Sequence, residues 1–218
     1  MFITMEGIEG SGKTTQIAHI SKYLLENGYP CTITREPGGT KIGEKIRQIL
    51  LDRDHDMLDA MAELLLYTAD RAQHVNETIK PALDGGKIVI CDRFLDSTIA
   101  YQGAARGIDA KIIAGINHLV LKDVSPDITF LLDLPPETGL MRAWREIDAG
   151  TRDTAQSRFE REKILFHEKV RQGYLALADA EPQRIKIIDA ALPPEEVKEA
   201  ILAHLGSVLP AHNMTTYY

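Results

Sequence analysis

Gly7 to Thr14 reads GIEGSGKT, a spacing of glycines, one lysine and one threonine that suits the capture of phosphate oxygens. Glycines let successive backbone N–H groups converge on one anion, and a helix that starts at the lysine aims its positive end at the same point. Gly7, Ile8, Glu9, Gly10, Ser11, Gly12, Lys13, Thr14 and Thr15 are therefore the candidate contacts to a nucleotide's phosphates. Lys13 would reach the terminal phosphates and the Thr14 hydroxyl would face a magnesium ion. The third position, Glu9, is an acid, and a carboxylate beside phosphates costs electrostatic energy. It is expected to face away from them, toward a hydroxyl or a magnesium shell.

A second chemical cluster lies in VICDRFLDSTIAYQ, Val89 to Gln102. Asp92 and Arg93 end an apolar run that reads as a buried strand. Asp92 could hold magnesium-bound water, and Arg93 could clamp a second phosphate through two parallel N–H groups. Tyr67 and Arg71 are four residues apart in a helical pattern, as are Ser97 and Tyr101, and Thr98 and Gln102, so each pair shares one helix face and can converge on one ligand.

The elements that must position these residues follow from periodicity. FITME, CTIT, KIVICD, DITFLLDL and RIKIID are short, apolar and partly β-branched, without the alternation of a half-wet strand, and are read as strands buried on both faces. Between them, Ile17, Ile20, Leu24; Ile42, Ile46, Ile49; Leu58, Met61, Leu65; Ile112, Ile116, Leu119; and Val197, Ile201, Leu205 recur at helical spacing. Such alternation predicts an α/β fold with a largely parallel sheet covered on both sides, its ligands gathered beyond the carboxyl ends of the strands. Asn27 with Gly28 should close one helix, and Pro193 with Pro194 should open the last.

With 218 residues, 44% of them hydrophobic and 26% charged, the chain suits one domain, placed at residues 1–208 with a loose tail at 209–218. Its net charge of −7 and the absence of any five-residue run of one sign argue against a nucleic-acid partner. No stretch approaches the ~18 apolar residues needed to cross a bilayer, and the N-terminus lacks a signal-type pattern. Cys31 and Cys91 both sit in apolar strand patterns, which suits free thiols in the cytoplasm.

DRFLDSTIAYQ, together with REPGGT (Arg35 to Thr40), LYTADRAQH (Leu66 to His74) and the glycine-rich loop, resembles the thymidylate kinase family of nucleoside monophosphate kinases, over about residues 2 to 205 by four motifs in order. The resemblance implies a three-layer P-loop kinase fold, a five-stranded parallel sheet flanked by helices, with a mobile arginine-rich lid at about 145–158. It implies transfer of the γ-phosphoryl group of ATP to dTMP, giving dTDP, with Mg2+, by a homodimer whose apolar face would lie around residues 42 to 80.

Residue by residue, it implies that Arg35 and Arg93 grip the dTMP phosphate, with Pro37 shaping the floor of that site. Tyr67 matches the ring that stacks on thymine, usually phenylalanine in the family, and Arg71 the residue that hydrogen-bonds a base carbonyl. Thr98 and Gln102 fall where base-edge contacts are made, Ser97 lies beside them, and Tyr101 falls where a ring crowds the sugar's 2′ position. Glu9 matches a carboxylate on the 3′-hydroxyl side of the acceptor sugar. Thr14 and Asp92 remain the magnesium candidates.

Some family members carry an arginine within the loop, but here the loop offers only Lys13. Since phosphoryl transfer needs cations over the equatorial oxygens, the charge must come from elsewhere. The polar stretch from Arg145 to Glu162 and its approach supply Arg142, Arg145, Arg152, Arg158 and Arg161. Arg145 and Arg152 are the expected catalytic pair, beside Lys13, Arg93 and Glu9; Arg142 and Arg158 are expected near the donor nucleotide. The segment departs from the family's Asp-Arg-aromatic-Glu pattern, with Ser157 in place of the acid. Two other readings stay open on residues alone: a kinase for a deoxynucleoside, and a nucleotide-driven switch or ATPase that acts on a protein partner.

Overall fold

The computed structural model describes residues 1–55, 57–121, 123–151 and 157–209. Five parallel strands, β1 (Phe2–Glu6), β2 (Cys31–Arg35), β3 (Ile88–Asp92), β4 (Ile128–Asp133) and β5 (Ile185–Asp189), form one sheet in the order β2-β3-β1-β4-β5. All five expected strands are present. The chain runs from β1 out to β2, back to β3 beside β1, and then across to β4 on the other side, so β1 and β3 flank the point where the winding reverses. Ligand crevices form there in such sheets, because the connecting loops diverge and leave space.

The helices are α1 (Lys13–Glu26), α2 (Lys41–Leu51), α3 (Ala60–His74), α4 (Lys80–Asp84), α5 (Leu95–Thr98), α6 (Ala110–Leu121), α7 (Pro136–Asp148), α8 (Ile164–Ala180) and α9 (Pro194–Gly206). A π-helical turn, Val75–Ile79, joins α3 to α4, and another, Ile99–Ala105, continues α5. Side chains of β3 divide between two layers: Ile88 and Ile90 join Ile17, Ile20 and Leu24 of α1 and Ile201 and Leu205 of α9, while Val89 and Cys91 pack with Val75, Ile79 and Leu121. Both cysteines are free thiols.

One expectation is corrected. The edge strands are not buried on both faces: Ile33 of β2 is 54% exposed and Ile187 of β5 is 47% exposed, because an edge strand meets a helix layer on one side only. Of the five helical apolar stripes, only those of α1 and α9 are core. Ile42 and Ile49 of α2, Met61 and Leu65 of α3, and Ile112 and Leu119 of α6 are exposed, whereas Leu50, Leu64 and Ile113 turn inward. The helix α3 packs between α2 and α6, so the exposed residues belong to three neighbouring helices. None of the helices among the described residues is long and apolar enough to cross a membrane.

Candidate active site

The loop between β1 and α1 is shaped for an anion. Gly12 precedes α1 with φ 90°, no side chain caps this helix, and no acid lies in its first turn. By contrast α2 is capped by Thr40, with Glu44 in its first turn, and α3 by Asp59, with Glu63. Leaving α1 uncapped keeps its first N–H groups available for phosphate. The loop is also wedged in place: a Cβ on Gly10 would collide with the Gly139 carbonyl of α7, so the backbones touch where only glycine fits.

The Lys13 ammonium folds back on its own loop, donating to the carbonyls of Gly7 and Ile8 at 3.0 Å each and to Ser11 Oγ at 3.3 Å. Burial, and then the nearby Arg93 charge, push it down to about 8. Extra negative charge from a polyphosphate is what this ammonium lacks.

Beyond the loop opens one cavity of about 650 Å3. Gly10, Ser11, Gly12, Lys13, Thr14 and Thr15 form its loop side, while Gly7 and Ile8 lie behind, contributing the carbonyls that hold Lys13. All the residues expected at the acceptor site line the same space: Glu9, Arg35, Pro37, Tyr67, Arg71, Arg93, Ser97, Thr98, Tyr101 and Gln102. They come from five separate parts of the chain.

Arg93 is the centre of this arrangement. It follows β3 in the left-handed region, φ 68°, a conformation that costs a residue other than glycine about 1 to 3 kcal/mol. Neighbours hold it there: Arg93 N donates to the Met5 carbonyl, and the next amide, Phe94 N, donates to Glu6 Oε1 at 2.8 Å. Its guanidinium donates to Glu9 Oε1 at 3.0 Å, Ser97 Oγ at 3.2 Å and the Tyr174 hydroxyl at 3.1 Å, and lies over the Tyr101 ring. Ser97 and Tyr174 in turn donate to Glu6 Oε2 at 2.6 and 2.8 Å. Burial, reinforced by the Asp96 charge, raises the Glu6 carboxyl to about 7.

Glu9 turns toward these acceptor-side residues and not into the loop's anion nest, accepting from Arg93 and, at 2.6 Å, from the Tyr101 hydroxyl. Burial alone would raise its carboxyl, but His167, Arg93 and Lys13 hold it well below the usual range. His167, fully buried on α8, places Nδ1 3.3 Å from Glu9 Oε2. On the far wall Arg71 is 1% exposed. It donates to Glu36 Oε2 at 2.8 Å, the Phe94 carbonyl at 3.2 Å and Thr98 Oγ1 at 2.9 Å.

The loop carrying Arg35 and Pro37 is tied to α3 through the same acid. Glu36 Oε1 pairs with His74 Nδ1 at 3.0 Å, and His74 Nε2 meets Thr34 Oγ1 at 2.6 Å. Asp70 Oδ1 accepts from Gly38 N at 3.0 Å, and burial, with the Glu36 charge second, raises its carboxyl to about 7. Arg35 itself is half exposed and held by Glu44 at 2.9 Å.

Asp92 Oδ1 is buried with no hydrogen-bond partner, and Asp92 and Thr14 both line the cavity. An orphaned buried carboxylate oxygen in a cavity that also holds a threonine hydroxyl fits a hydrated magnesium ion, which keeps several waters and binds few protein groups. Among the described residues no group of three His, Cys, Asp or Glu side chains converges as a metal site, and an ion held chiefly by phosphate and water needs none.

Sequence comparisons agree with this geometry. The thymidylate kinase family profile matches residues 5–201. The chain belongs to the thymidylate kinase family. It is 52% identical to a thymidylate kinase of Desulfosudis oleivorans over 95% of this chain and 97% of the other, and 55% identical to that of Desulforapulum autotrophicum over 94% and 91%. The crystal structure of thymidylate kinase from Ehrlichia chaffeensis superposes with a TM-score of 0.75 at 38% identity, covering 94% of this chain and 98% of that one.

None of the arginines expected in the lid or on its approach lines the cavity among the described residues. Arg142 and Arg145 lie on α7, which extends to Asp148, and neither lines the cavity; Arg142 donates to the Ala190 carbonyl at 2.9 Å and Arg145 is exposed. Arg152 lies outside the described residues. Arg158 is corrected: it does not face the donor side. It is buried, donating to the Leu50 carbonyl at 2.6 Å and to Glu63 Oε2 at 2.7 Å, because a buried carboxylate on α3 draws it to the acceptor wall.

Several residues around the cavity have no role that spacing alone assigns. Glu6 sits one position before the glycine-rich loop, Glu36 lies inside REPGGT between Arg35 and Pro37, and Glu63 is one helical turn before Tyr67, so strand and helix periodicity point to them once the partners are known. Tyr174 and His167 approach from α8, more than 150 residues after Glu9, and no local spacing reveals them.

Proposed function

We propose that the chain transfers the γ-phosphoryl group of ATP to dTMP, giving dTDP, a step in dTTP supply. The observation that carries this reading is that one cavity joins the anion loop of Lys13 to a second cationic pair, Arg35 and Arg93, with an aromatic ring and a base-reading arginine beyond them. A monophosphate nucleotide needs both. A deoxynucleoside would have no use for two guanidiniums, and a switch protein would have no use for Tyr67, Arg71 and Gln102.

In this mechanism backbone N–H groups of residues 10–15 and Lys13 seat the donor phosphates, and Arg93 with Arg35 holds the acceptor phosphate in line with them. Thr14, and Asp92 through water, would hold a magnesium ion, which would supply charge neutralisation to the phosphates. The attacking phosphate oxygen is already anionic, so no strong general base is required. Glu9 and Tyr101 border the acceptor sugar. Arg145 and Arg152 are retained as the pair that a lid at about 145–158 brings over the transferring group, excluding water and favouring transfer over hydrolysis.

A homodimer through α2, α3 and α6 would cover the exposed Ile42, Ile49, Leu65 and Leu119, since apolar residues on adjacent helices are stabilised by association. The cytoplasm is the compartment in which its free thiols and soluble nucleotide substrates are expected together. Phosphorylation assays with ATP across dTMP, dUMP, thymidine and UMP test the assignment. Activity on thymidine with none on dTMP, or ATP turnover indifferent to any acceptor, would overturn it.

A further inference from the structure

Glu63 is fully buried on α3, one turn before Tyr67 and two before Arg71. Its carboxylate receives donors only. Oε2 accepts from Arg158 at 2.7 Å and Arg106 at 3.2 Å, while Oε1 accepts from Gln102 Nε2 at 2.7 Å, with Arg106 Nε at 3.4 Å. Two guanidiniums on one buried carboxylate make it an obligate acceptor toward its third neighbour.

That third neighbour is a cavity residue. An amide has two chemically different ends, and turning the Gln102 carbonyl toward Glu63 would set two acceptors 2.7 Å apart, so the nitrogen must face the carboxylate. The carbonyl oxygen is then the polar end that Gln102 keeps for a ligand. Arg71, a donor without acceptor capacity that lines the same cavity, is linked to Thr98 Oγ1 at 2.9 Å, and Thr98 lies four residues before Gln102 along the same helical run.

We propose that Glu63 is a positioning residue for base selection: by engaging the amide nitrogen of Gln102 it presents a carbonyl to the cavity, beside the donor Arg71. This inference rests on the proposed function. An acceptor beside a donor matches a pyrimidine with hydrogen at N3 and oxygen at C4, as in thymine or uracil. Cytosine carries the opposite pattern, a lone pair at N3 and an amino group at C4. A site built to pair with one pattern rejects the other strongly, because its buried polar groups are left unmatched. Arg158, at the base of the expected lid, shares this carboxylate, so the lid's base and the base-reading wall are joined through Glu63.

The test is Glu63→Gln, which keeps shape and changes one acceptor into a donor. Arg106 and Arg158 claim the new carbonyl, the new amide nitrogen faces Gln102, and Gln102 turns over to offer a donor to the cavity. Steady-state kinetics with dTMP, dUMP and dCMP, on protein checked for folding by circular dichroism, read the result. The expected result is a fall of at least about tenfold in the dTMP-to-dCMP ratio of kcat/KM, with the dTMP-to-dUMP ratio unchanged, since both of those bases carry hydrogen at N3.

Should Glu63→Gln fail to fold, Gln102→Leu provides the second arm: loss of the carbonyl must lower the same ratio and spare the other. An unchanged dTMP-to-dCMP ratio, or both ratios falling together, overturns the inference while leaving the proposed function intact. Absence of dTMP turnover in the unaltered protein overturns the function itself and this inference with it.

Discussion

Glu9 and Arg93 meet at 3.0 Å, a carboxylate from the glycine-rich loop against a guanidinium from the end of β3. The pair joins the donor loop to the acceptor clamp, so the acid that seems misplaced in an anion-binding loop has an electrostatic purpose. In the proposed function it orients the cation that would hold the second phosphate.

Glu9→Gln is therefore expected to loosen Arg93 and Tyr101 together. A hydrogen bond to a charged group contributes about 1.5 to 3 kcal/mol, which corresponds to a loss of roughly 10- to 150-fold in kcat/KM for dTMP. The KM for ATP should change much less, and initial-rate kinetics varying each substrate separate the two. Equal damage to both substrates would argue that Glu9 supports the loop and not the acceptor.

Lys13→Ala should lower kcat by about 10² to 10³, the scale of removing one preorganised charge at a developing anion. The unaltered lysine also makes a pH prediction. Its ordinary value of 10.5 falls to about 8 in the fold through burial and Arg93. Below about 8 both folded and unfolded forms carry the proton; between 8 and 10.5 the folded form has released it, so this group's contribution to stability rises with pH across that window. A polyphosphate restores the ammonium, and calorimetry near pH 9 in buffers of different ionisation enthalpy should show proton uptake on nucleotide binding that Lys13→Ala abolishes. No uptake would mean the ammonium is already charged there.

Gly139→Ala tests the wedge between α7 and the loop. The added Cβ would lie 2.5 Å from the Glu9 carbonyl and 2.8 Å from Ile8 Cδ1. Because backbone atoms give way only when the loop moves, the expected cost is about 1 to 3 kcal/mol. For a chain of this size, each kcal/mol lowers Tm by about 2 to 4 °C. Weaker ATP binding should accompany it; a variant with the parental Tm and affinity would show that α7 withdraws freely.

Leu65→Asp places a charge on the exposed face of α3 without touching the cavity, since Leu65 is 51% exposed. Light scattering should find the unaltered chain dimeric and the variant monomeric, because a buried unpaired carboxylate opposes association. A dimer that survives this change must use another face.

The residues proposed to touch phosphate were legible from the chain alone, because their chemistry is local. A loop of glycines followed by Lys13 suits an anion by its own spacing, and Asp92 with Arg93, an ordinary ion pair in isolation, gains meaning from its place after an apolar strand. Tyr67 with Arg71 and Thr98 with Gln102 were paired by helical spacing, and all four line the cavity. The same periodicity located α2, α3 and α6, but for Ile42, Leu65 and Leu119 it reports an apolar face and is silent on whether this chain or another molecule covers it.

What amino-acid order determined was therefore the kind of group at each position and the elements that carry it: five strands, a phosphate loop, and a list of cations and rings. Tertiary structure decided which of them face one another. It sent Arg158 to Glu63 instead of the donor side, set Glu9 against Arg93, and brought Tyr174 from α8 to hold the guanidinium. Such pairings join residues 81 to 95 positions apart and depend on directions of approach that only the folded chain defines, since a buried charge takes whichever partner the packing delivers.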